Sequence, residues 1–252
     1  MSAKHAPKKN FLLEAMPAAE FKRIAPHLEL VSFEKGDVLY EFEEKLKYGY
    51  FPTSLIASLL CSMEDGVTAE VAVVGREGVL GESIFMGGKT ALTQASVQHA
   101  GEAYRLKSSI LKDEFDQCGA LQHLLMRYTQ TLIVQMAQTT GCNRRHTAEQ
   151  QLSRWLLLNI DRLSSHKVSM TQESLANVLG VRRETITDVA GKLQESGVIS
   201  YSRGQIEIID RTKLEALSCE CYDIVKKQYD DLLAELAVKE GRGPLSKKAG
   251  SC

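Results

Sequence analysis

Long apolar runs are missing from this 252-residue chain. No stretch approaches the ~20 consecutive apolar residues needed to cross a bilayer. The opening Met-Ser-Ala-Lys-His-Ala-Pro-Lys-Lys leads into no signal-peptide core, so the chain is expected in the cytoplasm with no membrane partner. Catalytic signatures are missing as well. His5, His27, His99, His123, His146 and His166 form no spaced ligand set, and no Gly-x-Ser-x-Gly elbow occurs. The one glycine-rich loop lacks the Lys-Ser or Lys-Thr of a nucleotide-binding loop, so an enzyme is not expected and no catalytic residue is assigned. Cys61, Cys118, Cys142, Cys219, Cys221 and Cys252 include no Cys-x-x-Cys pair, so neither a metal site nor a cofactor is expected. Residues two apart on a helix point about 200° apart, so one thiol of Cys219-Glu-Cys221 is expected to pack inward and the other to face out. That leaves Cys221 or Cys252 as the candidates for an exposed, redox-responsive thiol.

The composition, 44% hydrophobic and 25% charged, suits an ordinary globular chain long enough for two domains. A formal net charge of −1 conceals a weak asymmetry. Residues 142–217 hold 11 Lys/Arg against 9 Asp/Glu, a net +2, and residues 1–141 hold 14 against 17, a net −3. The basic bias coincides with the most informative segment, Gln172 to Gly191. There Leu175 and Leu179 share one face of a short helix, Ala176 permits close crossing, and Gly180 supplies a sharp turn. Val181, Ile186 and Val189 anchor a second helix to the same core. This is the spacing of a helix-turn-helix, and Arg182, Arg183, Glu184, Thr187 and Asp188 remain outward to meet base edges. Upstream, the apolar Ser-Arg-Trp-Leu-Leu-Leu run at 153–158 reads as a packing helix. Downstream, Gly197 to Ile209 reads as two β-branched strands around Ser202-Arg203-Gly204-Gln205. Together they make a winged helix, whose tip residues Ser202 and Arg203 suit phosphate contacts.

The N-terminal half has a different period. After a helical lead-in over residues 11–27, short β-rich pieces follow: Leu28–Phe33, Val38–Glu41, Tyr48–Phe51, Ile56–Ser62, Thr68–Val74, Ala95–Val97 and Ala103–Leu106. A turn is expected at Glu64-Asp-Gly66. Many short strands between turns indicate a barrel or jelly roll. Gly75 to Gly88 is a glycine-rich loop of a kind that cradles phosphates or simply turns corners. From about Leu121 to Asn143 a long helix carries Leu121, Leu125, Tyr128, Leu132 and Met136 at spacings of 4, 3, 4 and 4. This stripe is too apolar for water, and its length of roughly 30 Å favours pairing with the same helix of a second copy. Cys142-Asn-Arg-Arg-His146 marks a hinge.

This order of parts, with Leu179-Gly-Val-Arg-Arg-Glu-Thr-Ile-Thr-Asp-Val and the following Leu193-Gln-Glu-Ser-Gly-Val-Ile199, resembles the Crp/Fnr superfamily of bacterial transcription regulators over about residues 10–217. The resemblance implies an α+β chain. It comprises a cyclic-nucleotide-binding-like sensor β-roll at 10–120, a dimerisation helix at 121–143, a winged helix-turn-helix at 144–217, and a C-terminal helix and flexible tail at 218–252. It implies a homodimer on double-stranded DNA, joined through Leu125, Tyr128, Leu132 and Met136, with RNA polymerase as a further partner of an activator. It assigns DNA contact to Arg182, Arg183, Glu184, Thr185, Thr187, Asp188, Ser202 and Arg203, within a recognition helix 183–196 and its wing. Effector contact falls to Glu82, Thr93, Thr139 and Thr140. The sequence departs from the family where cyclic-nucleotide binders carry an arginine after the glycine loop: Lys89 to Ser96 offers Thr93 and no arginine, so cyclic AMP is not expected. Asp188 stands where many members carry arginine, and the amino-terminal cysteine cluster of oxygen sensors is absent. The competing reading is an adaptor whose winged helix binds protein.

Overall fold

The computed structural model describes residues 6–64, 68–163 and 165–239. Its N-terminal lead-in is two short helices, α1 (Phe11–Glu14) and α2 (Ala18–Ile24). Asn10, fully buried, ties them to the body. Its Oδ1 accepts from the Leu12 and Leu13 amides, and its Nδ2 donates to the Pro52 and Gly78 carbonyls.

The β-rich segment forms β1 (Glu29–Phe33), β2 (Val38–Tyr40), β3 (Tyr48–Pro52), β4 (Ile56–Ser62), β5 (Thr68–Val74), β6 (Gln94–His99) and β7 (Gly101–Lys107). Each lies within about two residues of its sequence expectation. They pair antiparallel as two sheets, β1-β7-β3 and β2-β6-β4-β5, closed over Phe51, Leu59, Ala95, Val97 and Leu106. This is the expected β-roll. Of the expected 64–66 turn, Asp65 and Gly66 lie outside the described residues.

After α3 (Ser108–Phe115) comes α4 (Ala120–Arg145), 26 residues long. It starts where the Glu20 carboxylate accepts the Ala120 and Leu121 amides, an acceptor placed at the positive end of the helix. Here one expectation is corrected. Leu125, Tyr128 and Leu132 are buried within the chain itself and Met136 is half-buried, so this stripe is no free dimer seam. Two neighbours cover it: β5 and the C-terminal helix α9, whose packing along α4 a helical stripe could not reveal. Tyr128 packs so closely over the glycine loop that a Cβ at Gly78 would lie 2.4 Å from its ring. The outer face of α4 instead exposes Met126, Gln130, Ile133, Ala137 and Thr140, themselves spaced 4, 3, 4 and 3.

The C-terminal region holds α5 (Ala148–Ile160), β8 (Lys167–Ser169), α6 (Gln172–Leu179), α7 (Arg183–Glu195), β9 (Ile199–Ser202), β10 (Gln205–Ile208), α8 (Arg211–Leu217) and α9 (Glu220–Lys239). A capping box between Thr147 and Gln150 starts α5, and residues 151–160 are all buried. Trp155 and Arg162 reach from this region into the β-roll. Trp155 Nε1 donates to Glu70 Oε1 at 2.9 Å, and Arg162 Nε donates to Glu77 Oε1 at 2.6 Å.

The expected split of Cys219 and Cys221 is also corrected, because both are buried. Cys219 precedes α9 instead of lying within it, so the helical angle between the two positions does not apply. Cys252 and the expected tail beyond residue 239 lie outside the described residues.

Candidate nucleic-acid interface

Thr171 begins the interface by capping α6: its Oγ1 accepts from the Ser174 amide at 3.1 Å. Leu175, Ala176 and Leu179 face inward, and α6 ends at Gly180, whose φ of 67° lets its amide turn back to the Ala176 and Asn177 carbonyls. The second helix, α7, then buries Ile186, Val189, Ala190 and Leu193. Geometry leaves Arg182, Arg183, Glu184, Thr187 and Asp188 exposed and Thr185 half-buried. Thr187 also serves the fold, its hydroxyl bonding Gln172 Oε1 at 3.0 Å and the Arg183 carbonyl at 3.1 Å. Glu184 makes no ion pair among the described residues, so the carboxylate is open to an external donor.

The wing is three strands in the order β8-β10-β9. Its tip is a two-residue turn in which Arg203 (φ 49°) and Gly204 (φ 74°) both take left-handed backbone, the geometry that matches the strands' twist. This projects Ser202 and Arg203 into solvent. A cleft of about 470 Å³ lies between wing and helices, lined by Thr171, Gln172, Glu173, Arg183, Tyr201 and Arg203 with Gly204. Thus Arg183 from the recognition helix and Arg203 from the wing face one groove, and neither has an ion-pair partner among the described residues. Tyr201, next to Ser202 near the tip, anchors the wing by donating to the Met170 carbonyl at 3.0 Å. The sequence reading missed β8, which is only three residues long, and missed Thr171 and Gln172 as lining residues.

The proposed effector residues fare unevenly. Glu82 and Thr93 come together beside Tyr40, and the buried Glu82 Oε2, Thr93 Oγ1 and Tyr40 hydroxyl have one another and the Gly81–Glu82 backbone as polar neighbours, none in good hydrogen-bond geometry among the described residues. Burial pushes the Glu82 carboxyl above its ordinary value. Thr139 belongs elsewhere, accepting from Arg154 Nη1 at 3.3 Å, and Thr140 is exposed and bonded to the Met136 carbonyl. In the glycine loop, the Gly75 amide donates to Glu77 Oε1 and Tyr128 covers Gly78. At these two positions the loop turns corners and presents no anion cradle.

The same order of sheet, long helix and winged helix occurs in known proteins. Residues 150–217 match the family of Crp-like helix-turn-helix domains. The chain is 26% identical over 220 residues to the transcriptional regulatory protein btr of Bordetella pertussis, covering 80% of this chain and 86% of that protein. Among solved structures, FixK2 from Bradyrhizobium japonicum superposes with a TM-score of 0.66 at 19% identity, covering 76% of this chain and 98% of that one. A Crp/Fnr-family transcriptional regulator of Thermus thermophilus superposes with a TM-score of 0.59 at 22% identity, covering 75% and 98%. At such identities these two likenesses concern the fold.

Proposed function

We propose that this chain, a transcription regulator of the Crp/Fnr type, acts as a homodimer that reads a two-fold symmetric operator with one α7 per half-site. The observation that carries this reading is the convergence of Arg183 and Arg203 on one groove. Arg183 is suited to guanine O6 and N7, and Glu184 to the cytosine amino group. Ser202 and Arg203 meet phosphate, Arg182 the backbone at the start of α7, and Thr185, Thr187 and Asp188 complete the face and set its preference. A wing and a recognition helix aimed together at one groove favour DNA over a protein partner.

The dimer seam in this reading is the outer face of α4. Met126 and Ile133 are 56% and 52% exposed on a helix of 26 residues, and their heptad-like spacing with Gln130, Ala137 and Thr140 is that of a two-helix pairing. Pairing there supports recognition helices about 34 Å apart, one DNA turn. RNA polymerase is the further partner wherever bound sites are activated. Residues 10–120 serve as the sensor, 121–143 as the coupling helix and 144–217 as the DNA-binding domain, with 218–252 following it.

The sensor takes a small polar effector other than cyclic AMP. Tyr40, Glu82 and Thr93 offer a cluster of buried polar atoms poorly paired with one another, while no arginine stands between Gly87 and Val97 to neutralise a cyclic phosphate. The two more distant arginines are engaged: Arg76 lies over the Phe11 ring, and Arg105 pairs with Glu29 and stacks on Tyr48. Buried links from β5 to α5, through Glu70–Trp155, and onward through Glu77–Arg162 join the sensor to the DNA-binding region.

Genomic footprinting of the full chain, followed by salt-dependent binding to the recovered sites, tests the proposal. Protection of symmetric sites with affinity falling steeply with salt is expected. Retention of one protein partner with no DNA protection establishes the adaptor reading instead.

A further inference from the structure

Three of the six cysteines scattered in sequence are neighbours in space. Cys142 in the last turns of α4 and Cys219 just before α9 bring their Sγ atoms within 3.5 Å, although 77 positions separate them. Cys221 Sγ lies 3.7 Å from Nδ1 of His146, and the four candidate ligand atoms all fall within 4.8 Å of one another. We propose that Cys142, His146, Cys219 and Cys221 form a tetrahedral site for a single zinc-class divalent cation.

The spacing fits that chemistry. Metal–sulfur bonds of ~2.3 Å at tetrahedral angles put two thiolates about 3.8 Å apart, and metal–nitrogen bonds of ~2.0–2.1 Å put thiolate and imidazole about 3.6 Å apart. The separations of 3.5 and 3.7 Å straddle these values. An iron–sulfur cluster hands thiolates to separate irons and spreads them wider, and a disulfide needs sulfurs at ~2.05 Å.

The surroundings are built for ligation as well. His146 turns Nδ1 inward, while its Nε2 lies 3.3 Å from the Glu220 carboxylate, the outer partner that fixes the tautomer of a metal-binding imidazole. Gln151 Nε2 donates to the His146 carbonyl at 2.9 Å and holds the turn between the first two ligands. With three thiolates and a neutral imidazole as ligands, a divalent cation leaves a net charge of −1 on the site, and whatever thiol protons remain go to solvent. Arg154, only 2% exposed, interacts electrostatically with Cys142 and Cys221, and its Nε has no hydrogen-bond partner among the described residues. It is the cation that such a monoanionic site requires. The ligands join the end of α4 to the start of α9, so the ion fastens the hinge into the DNA-binding region.

The test uses the full chain purified under reducing, oxygen-free conditions without chelator. Elemental analysis is expected to give one zinc per chain, kept in C61S/C118S and lost in C142S/C219S. Chelator-treated wild-type protein titrated with cobalt(II) is expected to show the thiolate charge-transfer and strong visible bands of a tetrahedral sulfur-rich site, saturating at one equivalent. Because this readout uses the wild-type chain, it stands even where a serine variant fails to fold. Wild-type protein with no zinc and an octahedral cobalt spectrum overturns the proposal. So does zinc that survives in C142S/C219S, or iron accompanied by acid-labile sulfide.

Discussion

Replacing Glu70 with glutamine should remove a pH dependence located at the joint between the β-roll and α5. Glu70 is buried, its Oε2 accepting from Ser58 at 2.5 Å and its Oε1 from the indole of Trp155 at 2.9 Å. Burial raises its pKa from 4.5 to about 7, partly offset by the two hydrogen bonds and by Arg154 and Arg162. In the unfolded chain the carboxyl loses its proton near the ordinary value. Between pH 4.5 and about 7 the folded protein therefore holds a proton that the unfolded chain has released, and stability falls as pH rises through this window. The gap amounts to about 3 kcal/mol, fully present below the window and lost above it. Glutamine keeps one acceptor for Trp155 and offers its amide to the Ser58 hydroxyl, so E70Q should flatten this loss. Urea unfolding from pH 5 to 9 measures the stability curve. Trp155 is the chain's one tryptophan, so its emission reports the ionisation directly, with a midpoint near pH 7 in the wild type and none in E70Q. Parallel stability curves for the two proteins, together with a fluorescence midpoint that persists in E70Q, would refute the reasoning.

Arg183→Ala should cost roughly 1–3 kcal/mol at the preferred operator and relax selectivity at one base pair per half-site, whereas Arg203→Ala should weaken all sequences about equally; competition binding separates the two. Ile133→Glu should yield monomers in sedimentation with the fold intact by circular dichroism, whereas Leu132→Ala should cost about 2–5 kcal/mol of stability as a buried truncation. A dimeric Ile133→Glu chain moves the seam off this face. Calorimetry should detect no micromolar binding of cyclic AMP or cyclic GMP; such binding, accompanied by tighter operator affinity, refutes the reading of the sensor. Gly78→Ala should destabilise by about 1–3 kcal/mol, because the new methyl meets the Tyr128 ring; a neutral thermal midpoint would show that Tyr128 moves freely.

Local pattern made most of the fold legible. Period-two runs located β1 to β7 because each strand is short and bounded by turn residues. The small and apolar spacing at Leu175, Ala176, Gly180 and Ile186 located α6 and α7 because their packing is decided within twenty residues. What failed depended on distant partners. The stripe of Leu125, Tyr128 and Leu132 says that one face of α4 is covered, but its period is the same whether the cover is a second copy or β5 and α9. Glu82 and Thr93 lie together beside Tyr40, a residue the sequence reading did not single out, and Thr139 is drawn away by Arg154, a residue whose burial no local signal announces. The Cys142 and Cys219 thiols meet across 77 positions, which spacing rules for clustered ligands do not reach.

The meeting of Cys142 and Cys219 also changes what the winged helix is in topological terms. The chain leaves α4, builds α5 through α8, and returns to the place it left, after which α9 runs back along α4. The DNA-binding unit is therefore an insertion into a helical hairpin, its two ends held side by side. A rotation of α4 turns both ends of the insertion together and does not pull them apart, so movement of the unit is resisted by its Glu70–Trp155 and Glu77–Arg162 contacts with the β-roll and not by its own chain ends. A divalent ion held by Cys142 and Cys219 would close the loop across those 77 positions, removing unfolded-chain freedom worth about 4.5 kcal/mol and keeping the unit intact.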